Sequence, residues 1–126
     1  MPKTVPPIQS APPAMGPYSF VTEAAGLVFV SGQVALDPST GERSPDDVVE
    51  QTKRVMTNIG GILGDLGLGY RDVAKTTIFL ADMADYPAVN EVYGSYFDSE
   101  PPARSAIQAG ALPGGFLVEI EVVAAR

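Results

Sequence analysis

PPARSAIQAGALPGGFLVEIEVVAAR, residues 101–126, holds two runs of strand-forming residues, 104–109 and 116–125, on either side of a connection rich in Gly and Pro. That pattern predicts two neighbouring strands joined by a loop. Each run carries charge where charge is costly: Arg104 opens the first, and Glu119 and Glu121 sit inside the second. A period of two places Phe116, Val118, Ile120, Val122 and Ala124 on a core face, and Leu117, Glu119, Glu121 and Val123 on the other. The second face is mixed. Either Arg104 and Glu119 make an ordinary cross-strand ion pair in solvent, or that face lines a site where a guanidinium and a carboxylate meet.

Moving outward from this stretch, residues 85–97 read as a helix, with Asp85 as its cap, Pro87 in the first turn and Val89, Val92, Tyr93, Tyr96 and Phe97 on one stripe. Asn90 lies beside that stripe. Residues 72–80, rich in Val, Thr, Ile and Phe, have the composition of a central strand. A longer helix is predicted to start at Ser44 as N-cap with Pro45 in its first position. Val48, Thr52, Val55, Ile59, Ile62 and Leu66 form its apolar stripe, and Gly67 ends it. Gly60, Gly61 and Gly64 weaken this helix, which points to close packing against it. Further back, residues 19–21 and 26–30 predict a hairpin around a turn at 22–25, and residues 34–36 a third strand segment. Gly32, in Ser31-Gly32-Gln33, marks a bulge or a close approach by another group. Gly16-Pro17 forms a turn that aims Tyr18. The first thirteen residues, with five prolines, read as an extended arm.

The predicted architecture is a single α+β domain over residues 1–126, with an arm over 1–13. It is a two-layer sandwich in which two helices cover one face of a mixed sheet of about six strands. Nothing remains to cover the other face, so self-association is expected.

Composition removes many function classes. The chain has no His and no Cys. Ser-His and Cys-His nucleophiles, an imidazole shuttle, a disulfide frame and the usual zinc sites are therefore excluded, and acid-base work falls to Asp, Glu, Tyr, Lys, Arg or water. No nucleotide or calcium loop motif occurs, so neither a cofactor nor a metal is expected. A formal net charge of −7 opposes nucleic acid as a partner. No run of about 18 apolar residues and no charged-then-apolar leader is present, which leads to the expectation of a cytoplasmic protein without a membrane contact.

The segments GPYS (16–19), VSGQ (30–33), KTTIFLADMADYPAVNEVYGSYF (75–97) and PPARSAI…LP…VEIEVVA (101–124) resemble the RidA family, also called the YjgF/YER057c/UK114 family. The resemblance spans nearly the whole chain in the family's order. It implies a chorismate-mutase-like fold assembled as a homotrimer with active sites between subunits. It also implies hydrolytic deamination of reactive 2-enamine and 2-imino acids to 2-oxo acids and ammonia. Carried over by motif, Arg104 holds the substrate carboxylate, Glu119 positions the water, and Tyr18, Ser31, Gly32 and Asn90 complete the pocket. Two positions depart from the family's pattern: Ala106 stands where Cys is frequent, and Gln108 where an acidic residue is. The alternatives are a non-catalytic trimer that binds a small carboxylate or a protein, and a pathway-specific deaminase with a larger substrate.

Overall fold

The computed structural model describes residues 2–11 and 14–126. It contains strands β1 (Val21–Ala24), β2 (Leu27–Gln33), β3 (Val73–Leu80), β4 (Ala103–Gln108) and β5 (Val118–Ala125), and helices α1 (Val48–Asp65) and α2 (Tyr86–Gly94). The strands form one sheet in the order β1-β2-β5-β3-β4. Every pairing is antiparallel except β3 with β4. A parallel pair needs a long crossover, and α2 supplies it.

The structure departs from two expectations. The final two strands are not neighbours, because β3 lies between them. The alternation in β5 explains this: Val118, Ile120, Val122 and Ala124 are almost fully buried, as a strand with partners on both sides requires, whereas no residue of β4 is fully buried and β4 takes the edge. The sheet also has five strands rather than about six. Residues 34–36 leave it after the bulge that shifts register between Val30 and Gln33. Their carbonyls are satisfied elsewhere, that of Leu36 by Asn58 Nδ2 at 2.7 Å and that of Ala35 by the Ser44 N–H at 2.9 Å.

Local boundaries moved for equally local reasons. The β1–β2 turn lies at Ala25-Gly26, both with positive φ, which is the twist that a two-residue hairpin loop needs. The α1 cap is Asp47 instead of Ser44. Its carboxylate accepts the N–H groups of Val49 and Glu50 at 2.9 and 3.1 Å, and a negative charge at this end of the helix is worth more than a hydroxyl three residues earlier. At the other end Gly67, at φ 74°, lets Leu68 and Gly67 return hydrogen bonds to Leu63 and Gly64. In α2, Asp85 occupies the cap position without a side-chain bond, while Asp82 caps the short turn before it through the Ala84 N–H.

The core lies between the helices and one face of the sheet. Val55, Ile59, Ile62 and Leu63 of α1 are fully buried against strand residues such as Val28, Leu80, Val118 and Ile120. Each such side chain contributes about 1.5–3 kcal/mol on leaving water. Among the described residues nothing covers the opposite face. Its register rows run Phe29–Val123–Lys75 and Glu119–Phe79–Ile107, and Phe29 and Ile107 remain 41% and 48% exposed. The arm runs beside β1, where Thr4 and Glu23 exchange backbone hydrogen bonds. It then reaches α1, where Asp65 Oδ2 accepts the N–H groups of Gln9 and Ser10. Residues 1, 12 and 13 of the predicted arm lie outside the described residues. No helix among the described residues is long and apolar enough to cross a membrane.

Candidate functional site

Arg104 is placed by register. It pairs with Thr76 on β3, which in turn faces Val122 of β5, so all three point toward the helices. There α2 holds the guanidinium. Asn90 Oδ1 accepts from Nη1 at 2.8 Å, and the Tyr86 hydroxyl accepts from Nη2 at 2.8 Å. The guanidinium carbon also lies 5.4 Å from the centre of the Tyr86 ring and 5.2 Å from that of Tyr93. Tyr93 is itself anchored by a 2.7 Å hydrogen bond to Thr76. Tyr86, Asn90 and Tyr93 are spaced by four and three residues, so one stripe of α2 carries the whole cradle. Among the described residues no carboxylate forms an ion pair with Arg104. The half-buried cation is therefore held by neutral oxygens, and its remaining N–H donors can take an anion.

Glu119 lies elsewhere. It pairs with Phe79, three residues along β3 from Thr76, which puts it on the opposite face of the sheet from Arg104. The ion-pair reading is thereby overturned. A single chain also does not bring the two groups into one site. Burial first, and then the Glu121 carboxylate, push the Glu119 carboxyl above its usual range. Within one chain its proton affinity is thus set without help from the Arg104 charge.

Gly32 explains where Glu119 can go. A Cβ on Gly32 would lie 2.8 Å from Glu119 Cδ and 3.0 Å from Cγ, and closer still to Oε2. The bulge on β2 is thus a seat for the glutamate, which is the close approach that a glycine in a strand signals. Tyr18, in the loop before β1, is 48% exposed, with its ring edge against Phe20 at 5.9 Å. Tyr18 and Gly32 share a cavity of about 50 Å³ that Met15, Phe20 and Asn58 also line. Ser31 has a scaffolding bond: its hydroxyl donates to the Ser19 carbonyl at 2.7 Å and fixes the loop after Tyr18.

The candidate residues therefore form two half-sites. One joins Arg104 and Asn90 on the helix side of the sheet's edge. The other seats Glu119, on the uncovered side, against Gly32 at the β2 bulge, with Tyr18 sharing a cavity with Gly32 and the Ser31 hydroxyl bonded to the Ser19 carbonyl. Sequence reading missed Tyr86, whose signal was its place four residues before Asn90. It also missed the job of Gln108, whose Oε1 accepts the Met83 N–H at 2.7 Å and so supports the turn before α2.

A sequence profile described as Endoribonuclease L-PSP matches residues 8–126. The mouse protein 2-iminobutanoate/2-iminopropanoate deaminase is 47% identical over 116 residues, which is 92% of this chain and 86% of that protein. A Rid-family protein of Yersinia pestis, YyfA, superposes with a TM-score of 0.94 at 39% identity, covering 99% of this chain and all of that one. Escherichia coli TdcF, solved with bound serine, superposes with a TM-score of 0.91 at 37% identity, covering 98% of both chains. The coverage leaves no part of the fold unaccounted for, and the chain belongs to the Endoribonuclease L-PSP family, the RidA family that its GPYS, VSGQ, PPARS and VEIE segments resemble.

Proposed function

We propose that this protein hydrolyses reactive 2-imino acids, and the 2-enamine acids that tautomerise to them, to 2-oxo acids and ammonia. The observation that carries this reading is the pair of complementary half-sites. One presents a cation with neutral partners and free donors; the other presents a half-buried carboxylate with no ion-pair partner among the described residues. The mouse relative is named for deamination of 2-iminobutanoate and 2-iminopropanoate, and TdcF holds a small amino acid, serine. Both are small carboxylates, which is what a guanidinium fork grips well.

In the proposed reaction Arg104 binds the substrate carboxylate and fixes C2. Glu119 takes a proton from a water as its oxygen bonds to C2, and passes that proton to the nitrogen of the resulting carbinolamine. The C2–N bond then breaks, C2=O forms, and nitrogen leaves as ammonia with the hydroxyl proton following it. A raised carboxyl pKa suits a group that must both accept and return a proton. Tyr18 closes the pocket and Gly32 and Asn90 border it. No cofactor enters this chemistry.

The half-sites lie on opposite faces of one sheet, so the reading requires a second copy of the chain to bring an Arg104 to a Glu119. A homotrimer that covers the open faces does this, with a site at each of its interfaces. The proposal assigns this activity to the removal of damaging intermediates and places it in the cytoplasm. The alternatives keep the pocket and change its use, to a carboxylate binder without turnover or to a deaminase of larger substrates. RNA cleavage, suggested by the profile's description, finds little support in a chain of net charge −7 without histidine. The deciding experiment couples purified protein to a serine or threonine dehydratase and follows imine decay and ammonia release. Acceleration in proportion to added protein is expected. Binding of 2-oxo acid without acceleration would leave the binder.

A further inference from the structure

We propose that Tyr86 is a positioning residue for Arg104, whose hydroxyl sets the roll of the guanidinium and thereby the selectivity of the site for carboxylates. This rests on the reading of Arg104 as the carboxylate clamp. The guanidinium has two terminal nitrogens, and each is held by one neutral acceptor at 2.8 Å, Asn90 Oδ1 on one and the Tyr86 oxygen on the other. One acceptor alone would leave the plane free to swing about that single bond. Two acceptors on different nitrogens define the plane, and each nitrogen keeps a second N–H for a ligand. Both acceptors are neutral, so they orient the cation without cancelling the charge that attracts an anion.

The helix makes the arrangement stiff. Tyr86 opens α2, Asn90 is one turn on, and Tyr93, anchored to Thr76, lies under the guanidinium in the next turn. Thr76 is also the register partner of Arg104 on β3. The ring of Tyr86 contributes a contact with the cation that phenylalanine would keep, whereas the acceptor belongs to the hydroxyl alone. Removing only that oxygen isolates orientation from packing.

The test compares Tyr86→Phe with wild type using 2-iminobutanoate, its neutral methyl ester, and 2-oxobutanoate as a stable carboxylate probe. The expected result for the variant is a KM for the acid and a Kd for 2-oxobutanoate each raised about tenfold. The value of kcat should stay within about twofold, the ester should turn over as in wild type, and the thermal midpoint should be unchanged. Nitrogen NMR of the Arg104 side chain should show faster rotation about the Cζ–Nη bonds. Equal losses for acid and ester, or acid kinetics and rotation like wild type, overturn the proposal. Wild-type protein that neither binds 2-oxobutanoate nor turns over imines instead refutes the proposed function, and the role of Tyr86 in substrate binding falls with it.

Discussion

Replacing Gly32 with alanine adds one methyl group at the point where β2 seats Glu119. The backbone there is not in the left-handed region, so alanine meets no conformational penalty, and the consequence comes from contact alone. The new Cβ would stand 2.8 Å from Glu119 Cδ and 3.0 Å from Cγ, against the ~3.5–4.0 Å at which carbon atoms pack. The glutamate head must therefore retreat by about 1 Å. It is the far end of a flexible side chain on a face that no helix covers, so the retreat costs little stability, less than about 1 kcal/mol by comparison with overpacking in a true core. Catalysis is less forgiving: a displacement of about 1 Å in a reacting group can cost about 100-fold. The expected outcome of Gly32→Ala is thus a nearly unchanged thermal midpoint with kcat/KM for 2-iminobutanoate down by about two orders of magnitude. The loss should lie in kcat, because the Arg104 half-site is untouched, and 2-oxobutanoate should bind as before. Dehydratase-coupled imine decay measures the first, scanning fluorimetry and calorimetry the others. An active Gly32→Ala enzyme with wild-type kcat would refute the seating of the base by the bulge.

Arg104→Ala should lower kcat/KM by about 100-fold or more, about 3 kcal/mol, and Arg104→Lys should restore little because it lacks the fork; Glu119→Gln should bind 2-oxobutanoate while turning over far more slowly. Two of the three glycines of α1, Gly60 and Gly64, should respond to alanine with opposite signs. Gly60→Ala drives a methyl into the Tyr70 ring, 2.8 Å from Cζ, and strains its 2.7 Å hydrogen bond to the Met56 carbonyl, so the thermal midpoint should fall by several degrees; Gly64→Ala meets nothing within 4 Å and should gain up to about 1 kcal/mol from helix propensity alone, and melting curves decide both. At Asp65, burial works against ionisation, but the N–H and hydroxyl of Ser10 and the N–H of Gln9 outweigh it and hold the carboxyl below the 3.8 of an unperturbed aspartate. A depressed value makes this tether present above pH 3.8 and lost as pH falls through the folded-state value, so Asp65→Asn should speed amide exchange at Gln9 and Ser10 at neutral pH, with the difference from wild type vanishing in stronger acid. Sedimentation should give about three times the 13.2 kDa chain mass, and a monomer at micromolar concentration would contradict the shared-site reading.

Much of this protein is a consequence of local pattern. The alternation through Val118, Ile120, Val122 and Ala124 required a strand buried on one face, and the stripe from Val48 to Leu66 required a helix packed on it, because a period of two or of 3.6 admits few other ways to hide apolar groups. Gly32 declared a close approach before its partner was known. Counting elements against faces revealed an uncovered sheet side. The PPARS and VEIE segments pointed to Arg104 and Glu119 through resemblance, because spacing alone could not choose between an ion pair and a site.

Tertiary structure decided the rest, and for one physical reason. Which strands lie side by side depends on hydrogen bonds between segments far apart in the chain, and no local pattern encodes them. The parallel pairing of β3 with β4 and the placing of β5 between β2 and β3 turned two consecutive strands into non-neighbours. The register along β3, with Arg104 opposite Thr76 and Glu119 opposite Phe79 three residues on, put the two side chains on opposite faces. The parallel pairing of β3 with β4 also brought α2 over β4, where Tyr86 could reach the guanidinium, a contact between residues 18 apart in sequence that only the crossover creates.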